Sequence, residues 1–520
     1  MLFTVLEDLK NSASTRGDKI VVVDVDTKLT FAQLDSRARL TAEALVDLGI
    51  NPGDRVGVCM SKSADQIISI LSVLYANGIF VPILPTLKYR NIDYIIKDSS
   101  MSAIITDEKR ISEVEPHSKS VPILIGGEKN NNNFPSLPYI SRYLTGQKLP
   151  IFNRLSVDVA AIIYSSGSTG MSKGIMVTHR NLYDGARIVA RYLGTNERDR
   201  IAAVLSFNFD YGLNQIWQAF YTGCSIHIHE LVLPNDCIRF LAAQKITALP
   251  LMPAIITRLF DPRFFDSSHQ YDLSSVRYVC SSGGRVSNNM LTNIRKTFIN
   301  SVFYSMYGLT EAFRSTYLDP TQLPNRPSSI GKAIPDVEIL VVDEHGNECI
   351  AGVTGELVHR GGCIAKGYLN DSEKTAERFR THPNYPGEIL VYSGDLVVKD
   401  DEGFITFITR MDDMLKHNGI RISPTEIESI AENYDIVDAI VVFGIDNIDV
   451  GQDIILVYTT KKLQPLSEAK FRLYLKKHLP NHMQPKYIIY QKTFPVTGNQ
   501  GKIDRGKVRD KVMSAFDQLI

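Results

Sequence analysis

The stretch that decides the fold is residues 164–174, which read YSSGSTGMSKG and combine hydroxyl side chains, three glycines and a lysine. The apolar run before it, residues 159–163 (VAAII), predicts a buried strand that ends in this loop. Backbone N–H groups and hydroxyls donate to phosphate oxygens, and glycine lets the backbone approach them closely. A surface loop that only connects two elements would not need these hydroxyl groups and the lysine. We predict a loop that binds nucleotide phosphates through Ser165, Ser166, Gly167, Ser168, Thr169, Gly170 and Lys173.

The loop is not the phosphate loop of kinases and GTPases. That motif places Ser or Thr directly after its lysine, where the hydroxyl holds magnesium. Here Lys173 is followed by Gly174 and preceded by Ser172. The spacing therefore disfavours an ordinary kinase or ATPase, which would release ADP.

Composition bounds the class of protein. With 520 residues the chain is too long for one ordinary core, so at least two domains are expected. Lys and Arg together number 57 and Asp and Glu 57, so a zero net charge favours neither nucleic acid nor an anionic membrane as partner. The last sixty residues are basic. They form either a solvated surface or a patch for an anionic partner such as CoA phosphates or an acidic carrier protein.

The cysteines and the apolar segments indicate the cellular compartment of the protein. Six cysteines are scattered without a C-x-x-C pair, which favours a reducing compartment over a zinc site or a disulfide framework. The first ten residues carry acids and lack a basic segment, so a signal peptide is not expected. Residues 67–84 are interrupted by Asn77, Gly78 and Pro82 and predict helix, turn and strand, not a membrane span. We expect a cytoplasmic protein.

The element pattern predicts an α/β protein. Thr30 can cap a helix that Gly49 closes, and residues 55–58 then form a strand. This alternation continues to about residue 300, which is typical of largely parallel sheets. Short strands with Gly-rich turns follow from residue 337 and predict a smaller β-rich subdomain. We predict a large N-terminal domain of mixed α/β sheets, residues 1–411, and a small mobile α+β C-terminal domain, residues 412–520.

Two further motifs carry acidic residues beside hydroxyls. Residues 304–311 read YSMYGLTE, and a carboxylate such as Glu311 near a phosphate loop suits magnesium, which takes few protein carboxylates plus phosphate oxygens. Residues 392–396 read YSGDL, and Asp395 can accept both hydroxyls of a ribose. A lone Asp after a strand is otherwise only a turn residue.

Two more motifs lie near the proposed boundary and the end of the chain. Arg410 and Asp412 begin the first, which continues through Arg421 to Glu426. Residues 495–505 read PVTGNQGKIDR and contain the Gly-flanked Lys502. Each motif alone is weak, whereas their order and distances along the chain are specific.

Taken together, these motifs resemble those of the AMP-forming ligases, the superfamily of acyl-CoA synthetases, nonribosomal-peptide adenylation domains and beetle luciferases. The resemblance spans nearly the whole chain. Two departures are visible: Ser172 stands where the loop usually has Pro, and Thr409 stands where Gly usually precedes the arginine. Neither removes a phosphate donor or a functional residue.

The resemblance implies an enzyme with a two-step reaction. A carboxylate attacks the α-phosphorus of ATP and releases pyrophosphate, and a thiol then attacks the acyl-adenylate to give a thioester and AMP. By this resemblance Thr310 contacts phosphate, Glu311 holds Mg²⁺ and Asp395 takes the ribose hydroxyls. The remaining residues that it places around the nucleotide are Tyr307, Gly308, Arg410, Arg421 and Lys502.

The resemblance also implies that the C-terminal domain moves. Lys502 bridges the carboxylate and ATP oxygens in the first step, with Thr310, Glu311 and Arg410 as the other catalytic residues. The domain then rotates about the position of Asp412, which withdraws the lysine and admits the thiol. Two large pieces joined by a short polar segment suit such a hinge.

The sequence leaves open which carboxylic acid is the substrate. Residues 206–212 (SFNFDYG) fall where the family lines its acyl pocket, and Asp210 matches the acid that binds an α-amino group in amino-acid adenylation domains. Alternatively, Asp210 pairs with Arg314, or Arg314 binds a second anionic group of the substrate. The pocket is expected to be modest in size and partly polar, which disfavours a long-chain fatty acid; its substrate-binding residues are Asn208, Asp210, Tyr211, Asn214, Met306 and Arg314.

The sequence also leaves open which thiol accepts the acyl group. Free CoA and the phosphopantetheine of a separate acyl or peptidyl carrier protein both suit the basic tail. The favoured function is an acyl-CoA or acyl-carrier-protein ligase, and the alternative is a stand-alone amino-acid adenylation enzyme that loads a peptidyl carrier protein. A non-catalytic adenylate-binding protein is disfavoured, because it need not keep Glu311, Asp395 and Lys502.

Overall fold

The computed structural model forms two compact units, one of residues 1–165 and 173–411 and one made up mainly of residues 412–520. The described residues are 4–25, 27–127, 134–138, 149, 154–165, 172–260, 271–284, 286, 288–411, 415–422, 424–434, 436–460, 464–497, 502–503 and 505–516. Within these ranges the larger unit contains two sheets flanked by helices. This arrangement confirms the predicted α/β class.

The first sheet of the larger unit has six described strands and is mostly parallel. Only its last pair is antiparallel, and that pair flanks the glycine-rich loop. Residues 159–163 therefore form the strand predicted from their apolar run. In spatial order the strands are Ile123–Ile125, Ala103–Thr106, Arg55–Cys59, Ile79–Pro82, Val159–Ser165 and Lys173–Thr178.

The second sheet of the larger unit has fourteen described strands and changes from parallel to antiparallel along its width. The strand that ends at Tyr307 marks the change, since it pairs parallel on one side and antiparallel on the other. In spatial order the strands are Val337–Val342, Thr354–Gly361, Tyr385–Lys399, Ile405–Arg410, Ser329–Ala333, Thr316–Leu318, Val302–Tyr307, Tyr278–Ser281, Ala248–Leu251, Arg200–Ala203, Ser225–Ile228, Ile20–Val23 and Lys28–Thr30, with Phe379–His382 paired to Tyr385–Lys399.

The short strands after residue 337 continue this second sheet. Ser329–Ala333 pairs with Thr316–Leu318 on one side and with Ile405–Arg410 on the other. The antiparallel segments predicted as a β-rich subdomain are thus hydrogen-bonded to the α/β part. This continuity brings strand 385–399 to the same sheet as the strand that ends at Tyr307.

The helices of the larger unit follow the capping signals. Thr30 accepts a hydrogen bond from the Gln33 backbone while the Gln33 side chain bonds the Thr30 backbone, a complete capping box. The described helices are Val5–Thr15, Phe31–Asp47, Ala64–Tyr75, Tyr89–Asp98, Ile111–Val114, His179–Leu193, Asp210–Thr222, Pro234–Ala243, Pro253–Leu259, Asn288–Thr297 and Ser372–Arg378, with 3₁₀ turns at Glu115–His117 and Thr310–Ala312.

Residues 67–84 form the end of a buried helix, a turn and a strand, as the sequence predicts. The helix ends at Tyr75, the strand begins at Ile79, and Asn77 between them has a φ of 60°. None of the described helices combines the length and the apolar character that a membrane crossing requires.

The C-terminal unit has its own sheet and its own apolar core. Fully buried Ile427, Ile454, Leu456 and Phe471 belong to that core. The described helices are Pro424–Ala431, Glu468–His478 and Arg505–Phe516, with a 3₁₀ turn at Asn481–Met483. The sheet runs Ile420–Ile422, Leu415–His417, Gly451–Thr460, Val437–Asn447, with Tyr487–Tyr490 paired to Gly451–Thr460, and Val496–Thr497 pairs separately with Lys502–Ile503.

Candidate active site

One segment of the larger unit, residues 306–315, supplies side chains to three polar clusters. It begins on strand Val302–Tyr307, passes through the 3₁₀ turn Thr310–Ala312 and folds back, so that the Ser315 N–H donates to the Tyr307 carbonyl over 3.2 Å. Gly308 permits the return, because a Cβ there would lie 3.2 Å from the Arg314 Cα. The three clusters are therefore fixed relative to one another by one short, buried piece of chain.

The first cluster surrounds Asp395, whose side chain is fully buried. The Tyr307 hydroxyl donates a short hydrogen bond to its carboxylate, and the Ser393 hydroxyl accepts from its backbone N–H over 3.1 Å. Asp395 is also the antiparallel register partner of Arg410, so the backbones of the two predicted nucleotide-binding residues are adjacent. A buried carboxylate with an adjacent hydroxyl donor is suited to hydrogen bonding with a polyhydroxyl ligand.

A neutral histidine lies beside this carboxylate. Burial lowers the pKa of His359 to about 3, although the nearby charge of Asp395 acts in the opposite direction. Its Nε2 is 3.3 Å from the Ser315 hydroxyl oxygen. His359 therefore stays uncharged at neutral pH.

The second cluster joins Glu311, Tyr368 and Lys173. The Tyr368 hydroxyl donates to Glu311 Oε1 over 2.8 Å, and the Lys173 Nζ lies 5.5 Å from the centre of the Tyr368 ring. Burial and the positive charge of Lys374 lower the pKa of Lys173. Glu311 is buried, and Lys173 stands at the start of the strand that follows the glycine-rich segment.

The donor set of this cluster fits one Mg²⁺ carried mainly by phosphate oxygens. Within the described ranges, no three His, Cys, Asp or Glu side chains are grouped as a metal site. Mg²⁺ in nucleotide sites takes one or two carboxylates and several phosphate or water oxygens. Glu311 is the residue that would hold it.

The third cluster centres on Arg314, which is only 3 % exposed. Its Nη1 lies 3.6 Å from Asp210 Oδ2, and its guanidinium carbon lies 4.9 Å from the centre of the Tyr211 ring. Asp210 and Tyr211 begin the helix that ends at Thr222. Of the alternatives left open by the sequence, the structure contains the ion pair between Asp210 and Arg314.

The remaining residues predicted to bind the acid differ in their bonding. Asn214 is 1 % exposed, and within the described ranges neither its Oδ1 nor its Nδ2 has a hydrogen-bond partner. The Asn208 amide, by contrast, is bonded within the protein, since it accepts from Gln66 over 3.2 Å and donates to Ser206 over 3.0 Å. The Tyr192 hydroxyl donates to the Met306 sulfur over 3.0 Å.

Tight packing sets the position of Arg314. Phe313 adopts a φ of 49° and a ψ of −38°, and the Arg314 N–H donates to the Ala312 carbonyl over 2.6 Å, which closes a three-residue turn. The Phe313 ring fills the space above Gly185, where a Cβ would overlap it. The strained turn is therefore held by the neighbouring helix.

We expect Gly185→Ala to destabilise the protein by about 1–3 kcal/mol, because the added methyl group forces Phe313 to move in a packed core. Chemical denaturation of the parent and the variant measures the change. Gly127→Ala is the control, since its Cβ would meet only Asp65 Oδ2 at 3.5 Å. Equal stability of the two variants would contradict the packing described for Phe313.

Several predicted site residues lie wholly or partly outside the residues that the structure describes. Arg410, Arg421 and Lys502 are described by their backbone alone. They lie in strands Ile405–Arg410, Ile420–Ile422 and Lys502–Ile503. The residues outside the described ranges are Ser166, Gly167, Ser168, Thr169, Gly170 and Asp412. Sequence reasoning missed Tyr368, a lone tyrosine with no motif of its own.

The chain belongs to the AMP-binding enzyme family, whose model matches residues 9–369. This assignment confirms the resemblance drawn from the motifs and the prediction that the protein is an enzyme. Among curated proteins the chain is 29% identical to tyrocidine synthase 1 of Brevibacillus parabrevis over 519 residues, which cover 97% of this chain and 45% of that protein. It spans less than half the length of the curated relatives it matches.

Solved structures share the fold along nearly the whole chain. The amide bond synthetase McbA of Marinactinospora thermotolerans superposes with a TM-score of 0.86 at 20% identity, over 98% of this chain and 99% of that one. The o-succinylbenzoate CoA synthetase MenE of Bacillus subtilis gives 0.84 at 20% identity, over 97% and 98%. At this identity the likeness establishes the fold alone.

Proposed function

We propose that the protein activates a carboxylic acid with ATP through an acyl-adenylate, releases pyrophosphate, and transfers the acyl group to a thiol with release of AMP. The observation that carries this proposal is segment 306–315, which joins a buried carboxylate site, a phosphate-side carboxylate and an acyl-side arginine. Membership of the AMP-binding enzyme family supports it.

Each cluster has a proposed role. Asp395 accepts the ribose hydroxyls, with Tyr307 and Gly308 beside the nucleotide and Arg410 on the adjacent strand. Glu311, oriented by Tyr368, holds Mg²⁺, which when bound neutralises charge on the phosphates. Thr310 and the glycine-rich loop donate to phosphate oxygens, with Lys173 as a point charge. Positioning and charge neutralisation are what attack of an anion on phosphorus requires.

The acceptor is proposed to be CoA or the phosphopantetheine of a carrier protein. Thirteen Lys and Arg against four Asp and Glu in residues 461–520 would attract the phosphates or acidic surface of either one. We place the reaction in the cytoplasm, since all six cysteines are free thiols, as suits a reducing compartment.

The product distribution tests the proposal. Incubation with ATP, Mg²⁺, a panel of carboxylic acids and CoA should yield AMP and pyrophosphate in equal amounts, with the thioester detected by mass. Formation of ADP and phosphate would contradict the proposal. Formation of AMP without thioester would keep adenylation and direct the search to a carrier-protein thiol.

The second candidate function is loading of an amino acid onto a separate peptidyl carrier protein. Similarity to tyrocidine synthase 1 and the acid at Asp210 favour it. The ion pair between Asp210 and Arg314 counts against it, because the carboxylate already has a cationic neighbour at 3.6 Å and does not require a substrate ammonium.

We expect Asp412→Pro to spare adenylation and to slow thioester formation at least 10-fold, because fixing φ at the proposed hinge hinders domain rotation. Pyrophosphate exchange and thioester formation from supplied acyl-adenylate measure the two steps separately. Met411→Ala, at the exposed preceding residue, is the control. An equal fall in both steps would place the hinge elsewhere.

A further inference from the structure

The guanidinium of Arg314 has an unused edge. Its Nη1 faces Asp210, but 3.6 Å is longer than a hydrogen bond, so the contact is an ion pair only. Among the residues that the structure describes, its Nε and Nη2 have no hydrogen-bond partner, although the side chain is buried. A buried donor without an acceptor destabilises a protein, and more so when it is charged. An acceptor is therefore missing from this edge.

The geometry of this edge limits which chemical groups can accept hydrogen bonds from it. Nε and Nη2 present parallel N–H groups, the fork that a carboxylate fits with its two oxygens. A hydroxyl or a single carbonyl offers one oxygen, which can meet both N–H groups only with bent hydrogen bonds. The edge is therefore complementary to a planar group with two acceptor oxygens.

The guanidinium is also held in place before any ligand arrives. Its central carbon lies 4.9 Å from the Tyr211 ring centre and 5.5 Å from that of Phe313. The backbone turn at Phe313 fixes the direction in which Arg314 leaves the chain. Preorganisation of this kind lowers the entropic cost of binding.

The helix that begins at Asp210 carries a second buried polar group without a hydrogen-bond partner among the described residues. Asn214 follows Asp210 by four residues, so the two lie on one face of that helix. No described residue bonds the donor or the acceptor of the Asn214 amide. Asn214 and Arg314 therefore share Asp210 as a neighbour. Two buried polar side chains next to Asp210 therefore have unsatisfied hydrogen-bonding groups in the described part of the chain.

We propose that the acid activated by this enzyme is a dicarboxylic acid, whose second carboxylate is bound by the Nε and Nη2 edge of Arg314. The inference rests on the proposed function and names its substrate class. Asp210 acts as the counter-ion that keeps the buried arginine charged and oriented. Asn214 bonds polar atoms of the acid close to that end.

The test compares each diacid with its own half-amide. The panel contains linear diacids of four to eight carbons and the benzene dicarboxylic acids, each beside the monoamide and the parent monoacid. Carboxylate-dependent ATP–pyrophosphate exchange by the unaltered protein is measured as kcat/KM. The best diacid is expected to exceed its half-amide by about 100-fold, the scale of a lost charge-assisted pair.

Arg314→Gln supplies the matched variant. The KM for the diacid should rise about 100-fold with little change in kcat, whereas the values for the half-amide should stay within about 3-fold, since the bond lost is uniform binding. Arg239→Gln, at an exposed arginine, is the control and should change neither. If Arg314→Gln does not fold, the comparison of substrates by the parent protein still decides.

The outcomes separate this inference from the proposed function. A diacid preference that Arg314→Gln abolishes supports it. Exchange with monoacids or half-amides as good as with diacids overturns the inference and keeps the proposed function. Exchange with α-amino acids alone overturns the inference in favour of the amino-acid alternative. No exchange with any acid overturns the proposed function itself.

Discussion

Lys502→Ala is expected to lower carboxylate-dependent ATP–pyrophosphate exchange by about 10²–10³-fold, the range seen when one group that stabilises transition-state charge is removed. In the proposed mechanism its ammonium group bridges the attacking carboxylate and the ATP oxygens. The thiol step does not use this charge. Conversion of supplied acyl-adenylate to thioester should therefore stay within about 3-fold of the parent rate, since that step keeps its other interactions.

The matched control for this variant is Lys492→Ala, at an exposed lysine of the same unit. It removes the same charge from the basic C-terminal region and should leave both half-reactions unchanged. An equal fall of both half-reactions in Lys502→Ala would mean that the lysine supports the fold or binds AMP generally. In that case its assignment to the adenylation step would be wrong.

Asp395→Asn is expected to reduce both half-reactions by about 10²-fold, because a charge-assisted hydrogen bond contributes about 1.5–3 kcal/mol and the nucleotide is proposed to form two. ATP and the acyl-adenylate carry the same ribose, so the loss should appear in both steps. This result would differ from that of Lys502→Ala, which affects one step. Initial rates at varied ATP and at varied acyl-adenylate measure the two losses.

Two further variants serve as comparisons for Asp395→Asn. Asp401→Asn changes an exposed carboxylate near the following turn and should leave both rates unchanged. Tyr307→Phe removes the hydroxyl that donates to Asp395 and should cost less than Asp395→Asn, because the carboxylate remains available to the ribose. Loss of cooperative unfolding in Asp395→Asn, or a defect confined to pyrophosphate exchange, would contradict the proposed ribose contact.

Local signals were enough to predict much of the fold. The apolar run at residues 159–163 forms a strand, and the hydroxyl of Thr30 caps a helix, because each depends on neighbours in the sequence. The continuity of the antiparallel strands with the second sheet could not be predicted. It depends on strand Ser329–Ala333 pairing on both sides, and strand pairing across long separations has no local pattern.

The site was predictable as a set of residues but not as a set of contacts. The motifs pointed to Glu311 and Asp395, yet the partners of these acids, Tyr368 and Tyr307, are set by the tertiary fold. The choice among the roles of Asp210 was open for the same reason. Its neighbour Arg314 is remote from Asp210 in sequence, and the strained turn at Phe313 sets the position of Arg314.

The most direct test of carboxylate activation is isotope exchange between pyrophosphate and ATP, with matched acids that differ only in an α-amino group. We expect exchange that depends on the acid and that occurs with the member of each pair that lacks the amino group. Exchange with the amino acid alone would contradict the acyl assignment and make Asp210 an ammonium ligand. Absence of exchange across the whole panel would contradict the central claim that this protein forms acyl-adenylates.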